Sequence, residues 1–343
     1  MSASLPPPPL PPGSTIGILG GGQLGRMSAL AAARLGYRCH IYAPEADSPG
    51  MQVAAARTVA PYEDAGALAR FAAAVNVVTF EFENVPAATL DALAPLVPCR
   101  PGVAALGLPA VLKTTRLGYD GRGQAVLRRP EDAAAAFARL APHPLILEAF
   151  IPFAKEVSAI AARGVDGTVV TFDAVENRHA HHILDLSIAP AQVPPAVAAQ
   201  ARAQVAALAT ALDLVGVLAL EMFLLPDGRL LANEMAPRPH NSGHWTMDAC
   251  RIGQFEMHVR AVVGLPLPQL GREHDAVMRN LVGPDSYAAW PRLAAEPGVA
   301  LHLYGKVQGT EGARPGRKLG HATRLLPLGR LAEEADAAAL APL

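Results

Sequence analysis

Cysteine, aromatic residues and long apolar runs are all scarce in this chain of 343 residues. The three cysteines, Cys39, Cys99 and Cys250, are odd in number and far apart, so neither a disulfide framework nor a metal-ligand spacing is present. No stretch approaches the roughly eighteen consecutive apolar residues of a membrane-spanning helix. We therefore expect a cytoplasmic protein that has no membrane partner.

An excess of charge of one sign is missing as well. The 29 basic and 30 acidic residues are interleaved and leave a formal net charge of −1, so no basic field indicates a nucleic acid partner. This composition favours small-molecule partners. Residues 1–14 are rich in proline and lack the basic and apolar stretches of a secretory signal, which predicts a disordered tail.

The rest of the chain divides into three predicted domains. Apolar strands alternate with alanine-rich helices over residues 15–106, a rhythm typical of a Rossmann-like parallel sheet covered by helices. A glycine-rich loop, one helix and two strands predict a smaller α+β domain over residues 107–164. Residues 165–343 contain several strands and a helix from Pro195 to Leu212, which predicts a C-terminal α+β domain.

The first strand is followed by a glycine turn. Gly20, Gly22 and Gly25 have the spacing G-x-G-x-x-G before a helix, where backbone N–H groups can bind a phosphate. A nicotinamide dinucleotide site also needs an acidic residue at the end of the second strand, but that strand finishes as His40 to Ala43. The turn therefore either binds a phosphate group or lets the strand and the helix pack closely.

A second glycine-rich segment runs from Lys113 to Gln124. Its three glycines allow close approach to a triphosphate, and Lys113 and Arg122 place positive charge where the leaving phosphates develop negative charge. The alternative is a solvated hairpin tip whose charges are incidental.

Two apolar runs flank the turn Pro226-Asp227-Gly228 and predict a β-hairpin. Pairing across this turn sets Glu221 opposite Asn233 and beside Glu234. Two carboxylates and an amide in a buried sheet suit Mg²⁺, which prefers oxygen ligands and bridges to substrate phosphates. The alternative is a pair of surface glutamates that face water.

Two further segments are dense in polar side chains. Residues 237–246 follow the hairpin directly, and hydrogen-bonding loops next to a rigid scaffold suit an anion or carbonyl site. Lys306 and the run from Arg314 to Lys318 could bind a phosphate monoester, although basic turns are often simply solvated.

Taken in order, these motifs resemble those of the 5-(carboxyamino)imidazole ribonucleotide synthases, a family of the ATP-grasp superfamily. The resemblance covers about residues 15–325, and its most specific parts are the run His240-Asn241-Ser242-Gly243-His244-Trp245 and the loop from Arg314 to His321. It implies an ATP-grasp fold of class α/β and α+β, with an N-terminal Rossmann-like (pre-ATP-grasp) domain, a small lid domain and a C-terminal α+β domain. It also implies a homodimer.

The resemblance further implies four groups of site residues. The ATP site would contain Lys113, Gly118, Tyr119, Asp120, Gly121, Arg122, Gly123, Gln124, Glu148, Ala149, Phe150, Ile151, Glu156, His179, Asn233 and Glu234. Mg²⁺ would be bound by Glu221 and Glu234. The catalytic residues around bicarbonate would be Arg238, His240, Asn241 and His244. The aminoimidazole ribonucleotide would be held by Glu81, Tyr119, Arg122, Lys306 and Arg317.

The reaction implied is the ATP-dependent carboxylation of 5-aminoimidazole ribonucleotide with bicarbonate through carboxyphosphate, in purine synthesis. The chain departs from the family where Leu106 meets Gly107, because relatives carry additional residues there that supply part of the nucleotide site. A smaller departure is His181-His182, where the family more often has Asp-Gly. The first departure leaves open a catalytically impaired relative that still binds the ribonucleotide. The glycine turn leaves open a Rossmann-type NAD protein, which the missing acidic residue disfavours.

Overall fold

The computed structural model describes residues 8–81, 85, 87–100, 151–269, 271–306 and 314–332. The first sheet is parallel, with the strand order β3-β2-β1-β4. Its strands are β1 (Thr15–Leu19), β2 (Arg38–Ala43), β3 (Ala56–Val59) and β4 (Val77–Phe80), and its helices are α1 (Gln23–Arg34), α2 (Ala65–Ala73) and α3 (Ala87–Leu93). The strand order reverses between β1 and β4, and ligands of open α/β sheets bind at such a switch point.

The predicted alternation of strands and helices over this segment is confirmed, since α1, α2 and α3 alternate with the strands of the parallel sheet. Strand β3 was not predicted. It is a short edge strand, and three of its four residues are exposed, so it carries no apolar pattern that sequence reasoning could detect.

The second sheet has nine strands in the order β10-β9-β5-β7-β8-β11-β13-β12, with β6 paired to β5. Its strands are β5 (Lys155–Arg163), β6 (Val169–Thr171), β7 (Val175–Ala180), β8 (Ile183–Ala189), β9 (Gly216–Leu224), β10 (Leu230–Ala236), β11 (Asp275–Val282), β12 (Val299–Leu303) and β13 (Lys318–Leu326). Its helices are α4 (Pro195–Ala211), α5 (Thr246–Ala249), α6 (Gln254–Val263), α7 (Gly283–Tyr287) and α8 (Trp290–Ala294). All of the strand pairs in this sheet are antiparallel.

Strand β5 lies inside this sheet, although the sequence assigned residues 155–164 to the small lid domain. It pairs with β9 along its whole length, from Lys155 opposite Leu224 to Arg163 opposite Gly216. The domain boundary therefore comes before Lys155. A strand cannot be assigned to a sheet from local pattern alone when its partner lies far along the chain.

Residues 8–14 of the proline-rich start pack against the rest of the protein, so the predicted disorder is wrong for these residues. The backbone N–H of Leu10 donates to the Val263 carbonyl at 2.8 Å, and the Tyr37 hydroxyl donates to the Leu10 carbonyl at 2.7 Å. The Leu10 side chain packs against the apolar core of the first domain. One apolar side chain and two hydrogen bonds thus fix a segment whose prolines leave few backbone donors.

Helix α6 joins the two sheets and was not predicted as a helix. Its Phe255, Val259 and Val262 belong to the same core cluster as β1 and α1. On the same helix, His258 Nε2 lies 2.9 Å from the Thr79 hydroxyl of β4, and burial lowers the pKa of this histidine to about 4. Most of α6 is buried, and three of its ten residues are valines, whose low helix propensity does not mark a helix in the sequence.

Within the described ranges, no helix combines the length and the hydropathy that a membrane crossing requires.

A strained turn connects β7 to β8. Ala180 pairs with Ile183, so the loop contains only His181 and His182, which have φ angles of 52° and 65°. Positive φ at both positions is the type I′ geometry that favours Asn or Asp followed by Gly. A histidine side chain in this left-handed region costs about 1 kcal/mol or more.

We predict that His182→Gly stabilises the protein by about 1 kcal/mol, because glycine relieves the left-handed strain at this position. Thermal or urea unfolding measures the change. His274→Gly is the matched control, since His274 is exposed and does not have a positive φ angle. A gain for His182→Gly no larger than that for His274→Gly would contradict the strain argument.

Candidate active site

The hairpin of β9 and β10 brings two carboxylates together. Leu225 N–H donates to the Arg229 carbonyl at 2.9 Å, so the predicted hairpin is present. The register then shifts between Ala232 and Glu234, and Glu221 faces Glu234 directly. The sequence had placed Glu221 opposite Asn233, which is wrong by one residue because a β-bulge cannot be read from an alternating pattern. The bulge places the two carboxylates, which the sequence predicted to be close, directly opposite each other.

The surroundings of Glu221 favour the binding of a cation or a proton. Its side chain is 19% exposed, and burial together with the charge of Glu234 raises the pKa of Glu221 to about 7. Two carboxylates that face each other across a strand pair repel unless a proton or a cation lies between them. Their oxygen donors fit a hard divalent cation such as Mg²⁺.

Glu156 and His179 lie on the two strands next to this pair. Glu156 is on β5 and His179 on β7, and His179 Nδ1 is hydrogen-bonded to the Glu156 carboxylate. Burial lowers the pKa of His179, but the hydrogen bond and the charge of Glu156 outweigh it and raise the pKa overall. The structure therefore brings these two predicted nucleotide-site residues into contact.

Gln254, at the start of α6, fixes the polar loop that follows β10. Its side-chain nitrogen donates to the His240 carbonyl at 2.7 Å and to His244 Nδ1 at 3.0 Å, and its oxygen accepts the His240 backbone N–H at 2.9 Å. The Thr246 hydroxyl accepts the Gln254 backbone N–H at 2.9 Å and donates to the Gly243 carbonyl at 2.6 Å. One buried amide thus holds both predicted histidines of the loop.

A chain of hydrogen bonds under the loop fixes the orientation of His240. The Ser187 hydroxyl donates to Asn177 Oδ1 at 3.0 Å, Asn177 Nδ2 donates to Ser158 Oγ at 2.9 Å, and Ser158 donates to Ser242 Oγ at 2.8 Å. Ser242 Oγ lies 2.9 Å from His240 Nδ1, which also accepts the Ser242 backbone N–H at 3.3 Å. A backbone N–H can only donate, so Nδ1 is an acceptor and the proton of the neutral ring is on Nε2.

The imidazole of His240 therefore directs an N–H toward the carboxylates. Its Nε2 lies 3.6 Å from Glu221 Oε1. Burial, and next the positive charge of Arg238, lower the pKa of His240 well below its usual value. A neutral ring with a fixed Nε2–H is a hydrogen-bond donor for an anion at this position.

Asn241 presents an amide that the described protein leaves unsatisfied. Its Oδ1 and Nδ2 are both buried and have no hydrogen-bond partner within the described ranges. A buried amide without partners costs about 1–3 kcal/mol per group. We therefore expect polar atoms of a ligand to meet Asn241 beside His240.

Glu81, at the end of β4, occupies the glycine turn of the first domain. Its carboxylate accepts the backbone N–H groups of Gly22 and of Gly25, the latter at 2.7 Å. A Cβ atom at Gly22 would lie 2.5 Å from Glu81 Oε1, and one at Gly25 would lie 2.9 Å from the Gly20 carbonyl. Both predicted uses of the turn are therefore resolved: it packs closely, and the anion at the helix N-terminus is the protein's own carboxylate.

Glu81 also lies near the cations that the sequence proposed for the ribonucleotide. Burial raises the pKa of Glu81, while the two amides and the charges of Lys306 and Arg238 counteract the rise. Lys306 Nζ donates to Gln23 Oε1 and lies 5.7 Å from the centre of the Tyr304 ring. Burial, only partly offset by Glu81, lowers the pKa of Lys306 to about 8, and the charge of Arg317 contributes to the lowering.

Among the residues predicted to be catalytic, His244 is the most deeply buried. It is 1% exposed, its Nδ1 accepts from Gln254, and its ring packs against Phe255, Tyr304 and His321. These contacts suit a residue that supports the loop.

Several predicted nucleotide residues lie outside the described ranges. They are Lys113, Gly118, Tyr119, Asp120, Gly121, Arg122, Gly123, Gln124, Glu148, Ala149 and Phe150. Ile151 is described and is partly buried next to the start of β5.

Sequence reasoning missed the residues that support the site. Gln254, Ser158, Asn177 and Ser187 are buried polar residues within apolar surroundings, and this pattern is the only signal that the sequence offered for them. Lys318, at the start of β13, is close enough to influence the ionisation of Glu221 and His240. It belongs to the basic run that the sequence identified.

The fold and the site together define an ATP-grasp enzyme. Residues 80–255 match the ATP-grasp domain, residues 14–109 the ribonucleotide synthetase preATP-grasp domain, and residues 276–334 the phosphoribosylaminoimidazole carboxylase C-terminal domain. A relative from Brucella melitensis, an N5-carboxyaminoimidazole ribonucleotide synthase, is 46% identical over 359 aligned positions, which cover 93% of this chain and 98% of the relative. The chain therefore belongs to the N5-carboxyaminoimidazole ribonucleotide synthase family, and the resemblance noted in the sequence is confirmed.

Solved structures of this family have the same fold. An ADP complex of an N5-carboxyaminoimidazole ribonucleotide synthetase superposes with a TM-score of 0.87 at 39% identity and covers 95% of this chain and 96% of that one. The Aspergillus clavatus enzyme in complex with ADP and 5-aminoimidazole ribonucleotide superposes with a TM-score of 0.84 at 29% identity and covers 94% of this chain and 96% of that one. The predicted fold class is confirmed, and the alternative of a Rossmann-type NAD protein is excluded.

We predict that Ser158→Ala lowers the turnover number of the ATP-dependent reaction by about tenfold, because Asn177 loses its acceptor and Ser242 loses its donor. The imidazole nitrogen chemical shifts of His240 should then report a mixture of tautomers. Thr210→Ala, which removes an exposed helical hydroxyl, is the control and should change neither quantity. An unaltered His240 tautomer in Ser158→Ala would show that the chain does not orient the ring.

Proposed function

We propose that this chain uses ATP and bicarbonate to carboxylate 5-aminoimidazole ribonucleotide in purine biosynthesis, giving N5-carboxyaminoimidazole ribonucleotide, ADP and phosphate. The observation that carries the proposal is the neutral His240 and the unsatisfied Asn241 amide beside the facing carboxylates Glu221 and Glu234. The complex of the Aspergillus clavatus enzyme with ADP and 5-aminoimidazole ribonucleotide supports both ligands.

ATP would lie along the edge of the sheet where Glu156, His179, Glu221 and Glu234 meet. Glu156 is suited to the ribose hydroxyls, since a carboxylate accepts two hydrogen bonds, and Asn233 stands on the bulge beside Glu234. Mg²⁺ held by the two facing carboxylates would neutralise charge on the phosphates during transfer.

Bicarbonate would bind between the His240 and Asn241 side chains, with Arg238 balancing its charge. One of its oxygens attacks the γ-phosphorus, the bond to ADP breaks, and carboxyphosphate forms. The Nε2–H of His240 donates to the anion, and its fixed tautomer means that no reorganisation is needed during the reaction. Carboxyphosphate then separates into CO₂ and phosphate.

The ribonucleotide would lie between Glu81 and the basic residues Lys306 and Arg317, which are suited to its phosphate. Its exocyclic amine adds to CO₂ where CO₂ is released, and the proton that the amine loses passes to the departing phosphate. Glu81 lies at the switch point of the first sheet, within the electrostatic reach of Lys306 and Arg238. This position allows it to contact the aminoimidazole end of the substrate.

We also propose that the protein is a cytoplasmic homodimer. The three cysteines are unpaired, which is compatible with a reducing compartment. The dimer rests on the family resemblance in the sequence.

A second candidate is a catalytically impaired relative, and one observation favours it. The alignment with the Brucella melitensis relative extends over 359 positions, more than the 343 residues of this chain, so that relative has residues with no counterpart here. The sequence locates such a difference between Leu106 and Gly107, next to the predicted glycine loop of the ATP site.

We predict that the purified protein releases ADP from ATP with Mg²⁺ and bicarbonate, and that 5-aminoimidazole ribonucleotide stimulates this release strongly. Asn241→Ala should lower the stimulated rate by about 100-fold, because a buried donor to the anion is lost. His274→Ala serves as the surface control. A folded sample that binds the ribonucleotide but releases no ADP would favour the impaired relative.

We predict that Mg²⁺ affinity falls as the pH is lowered, by up to about tenfold per pH unit below pH 7. The pKa of Glu221 is raised to about 7, so a proton competes with the cation for this carboxylate below that pH. Calorimetric titration between pH 6 and pH 8 measures the effect. Glu221→Gln should abolish the pH dependence and weaken binding, whereas Asp227→Asn, at the exposed tip of the same hairpin, should preserve both. A pH-independent Mg²⁺ affinity in the unmodified protein would contradict the assignment.

A further inference from the structure

A second group of possible metal ligands lies apart from the carboxylate pair. His302 of β12 and His321 of β13 are directly opposite each other in the antiparallel ladder, and their rings stack with centroids 4.7 Å apart and an interplanar angle of 20°. Asp248 of α5 approaches from the loop side, and its two carboxylate oxygens lie 3.1 and 3.0 Å from His302 Nε2. One ligand atom from each of the three residues lies within 4.8 Å of the other two.

His321 gives a second, independent indication that a ligand binds at this cluster. The residue is completely buried, its Nδ1 lies 2.7 Å from the Tyr304 hydroxyl, and its Nε2 has no hydrogen-bond partner among the described residues. A buried ring nitrogen without a partner costs about 1–3 kcal/mol. If Nδ1–H donates to the tyrosine oxygen, the Nε2 lone pair is available. Metal-bound histidines typically have this arrangement, in which the second nitrogen donates to an outer acceptor.

We propose that Asp248, His302 and His321 bind a divalent transition metal ion of the Zn²⁺ type, with water completing the coordination. Two imidazoles and one carboxylate are donors for Zn²⁺ and its neighbours in the first transition row, whereas Mg²⁺ prefers oxygen ligands alone. The site is therefore chemically distinct from the Glu221–Glu234 pair.

The geometry has one pair of ligand atoms in place and requires the two imidazoles to reorient. Ligand atoms around a tetrahedral Zn²⁺ ion with bonds of about 2.1 Å are separated by roughly 3.3 Å. Asp248 and His302 already lie at about that separation. The two imidazoles stack nearly parallel, so their ring planes must turn relative to each other before both rings can bind one ion. An ion can enter from solvent, because the side chains of His302 and Asp248 are 29% and 17% exposed.

Without a metal, the cluster would consist of a hydrogen-bonded Asp248–His302 pair. That arrangement satisfies His302 but leaves the buried Nε2 of His321 unexplained. A metal ion engages all three residues at once. Burial lowers the pKa of His321, which keeps its ring in the neutral form that binds metals.

The position of the site gives the ion a structural role. Asp248 follows the loop that carries His240 and Asn241, and His302 precedes Lys306 by four residues on the segment proposed for the ribonucleotide phosphate. His321 is three residues beyond Lys318. The ion would tie these three segments together without contacting the reacting groups.

The test uses Co²⁺ as a spectroscopic substitute for Zn²⁺. Protein freed of metal with a chelator is titrated with Co²⁺ in excess Mg²⁺, which occupies the carboxylate pair. We expect one equivalent to bind with the visible bands of a four-coordinate site, and Zn²⁺ to displace it. Asp248→Asn and His302→Gln should each weaken Co²⁺ binding by at least about tenfold. Both positions are partly exposed, so these variants can be checked for folding by circular dichroism.

Two controls separate this site from adventitious binding. His274→Gln removes an exposed histidine elsewhere, and replacement of both His181 and His182 by Asn removes an exposed histidine pair; neither change should affect the bands. Zn²⁺ should raise the thermal unfolding temperature of the unmodified protein and of these controls, but not that of Asp248→Asn. The proposal is overturned if Co²⁺ does not bind, or if its bands persist in Asp248→Asn and His302→Gln. Metal binding is measured directly, so the result is independent of whether the protein carboxylates the ribonucleotide.

Discussion

The repulsion between Glu221 and Glu234 is the constraint on which the candidate site depends. A β-bulge places two partly buried carboxylates opposite each other, one on β9 and one on the edge strand β10, where each repels the other. A proton or a cation between the two carboxylates relieves this repulsion. Burial, together with the charge of Glu234, raises the pKa of Glu221 to about 7.

A second consequence of the same sheet is the fixed state of His240. The strands β5, β7 and β8 each contribute one small polar side chain to a single chain of hydrogen bonds, and the chain ends at the ring nitrogen that must not carry a proton. Because each member is buried and satisfied, the network is rigid as well as polar. Gln254 fixes the backbone on the other side of the loop. The loop is thereby organised before any substrate arrives, which is the condition for electrostatic catalysis.

The first domain contributes Glu81, at the switch point of its sheet, to the candidate site. Its glycine turn holds this carboxylate in place of a nucleotide phosphate. Its glycine turn has the spacing of a dinucleotide site, but the N–H groups are already bound to Glu81. The same carboxylate lies within the electrostatic reach of Lys306 and Arg238. Helix α6 holds this geometry because its apolar residues are shared by the core of the first domain.

The sequence by itself determined the local elements and the chemical types of the site. The helices α1 to α3, the hairpin turn and the two glutamates follow from short-range patterns of apolar, glycine and proline residues, and the ordered motifs identified the family. The tertiary structure decided what local patterns cannot contain: the bulge that puts Glu234 opposite Glu221, the inclusion of β5 in the large sheet, and the buried helix α6. It also decided the tautomer of His240 and the grouping of Asp248 with His302 and His321. These features depend on contacts between residues far apart in the chain, because a hydrogen-bond partner or a ligand set exists only after the strands have paired.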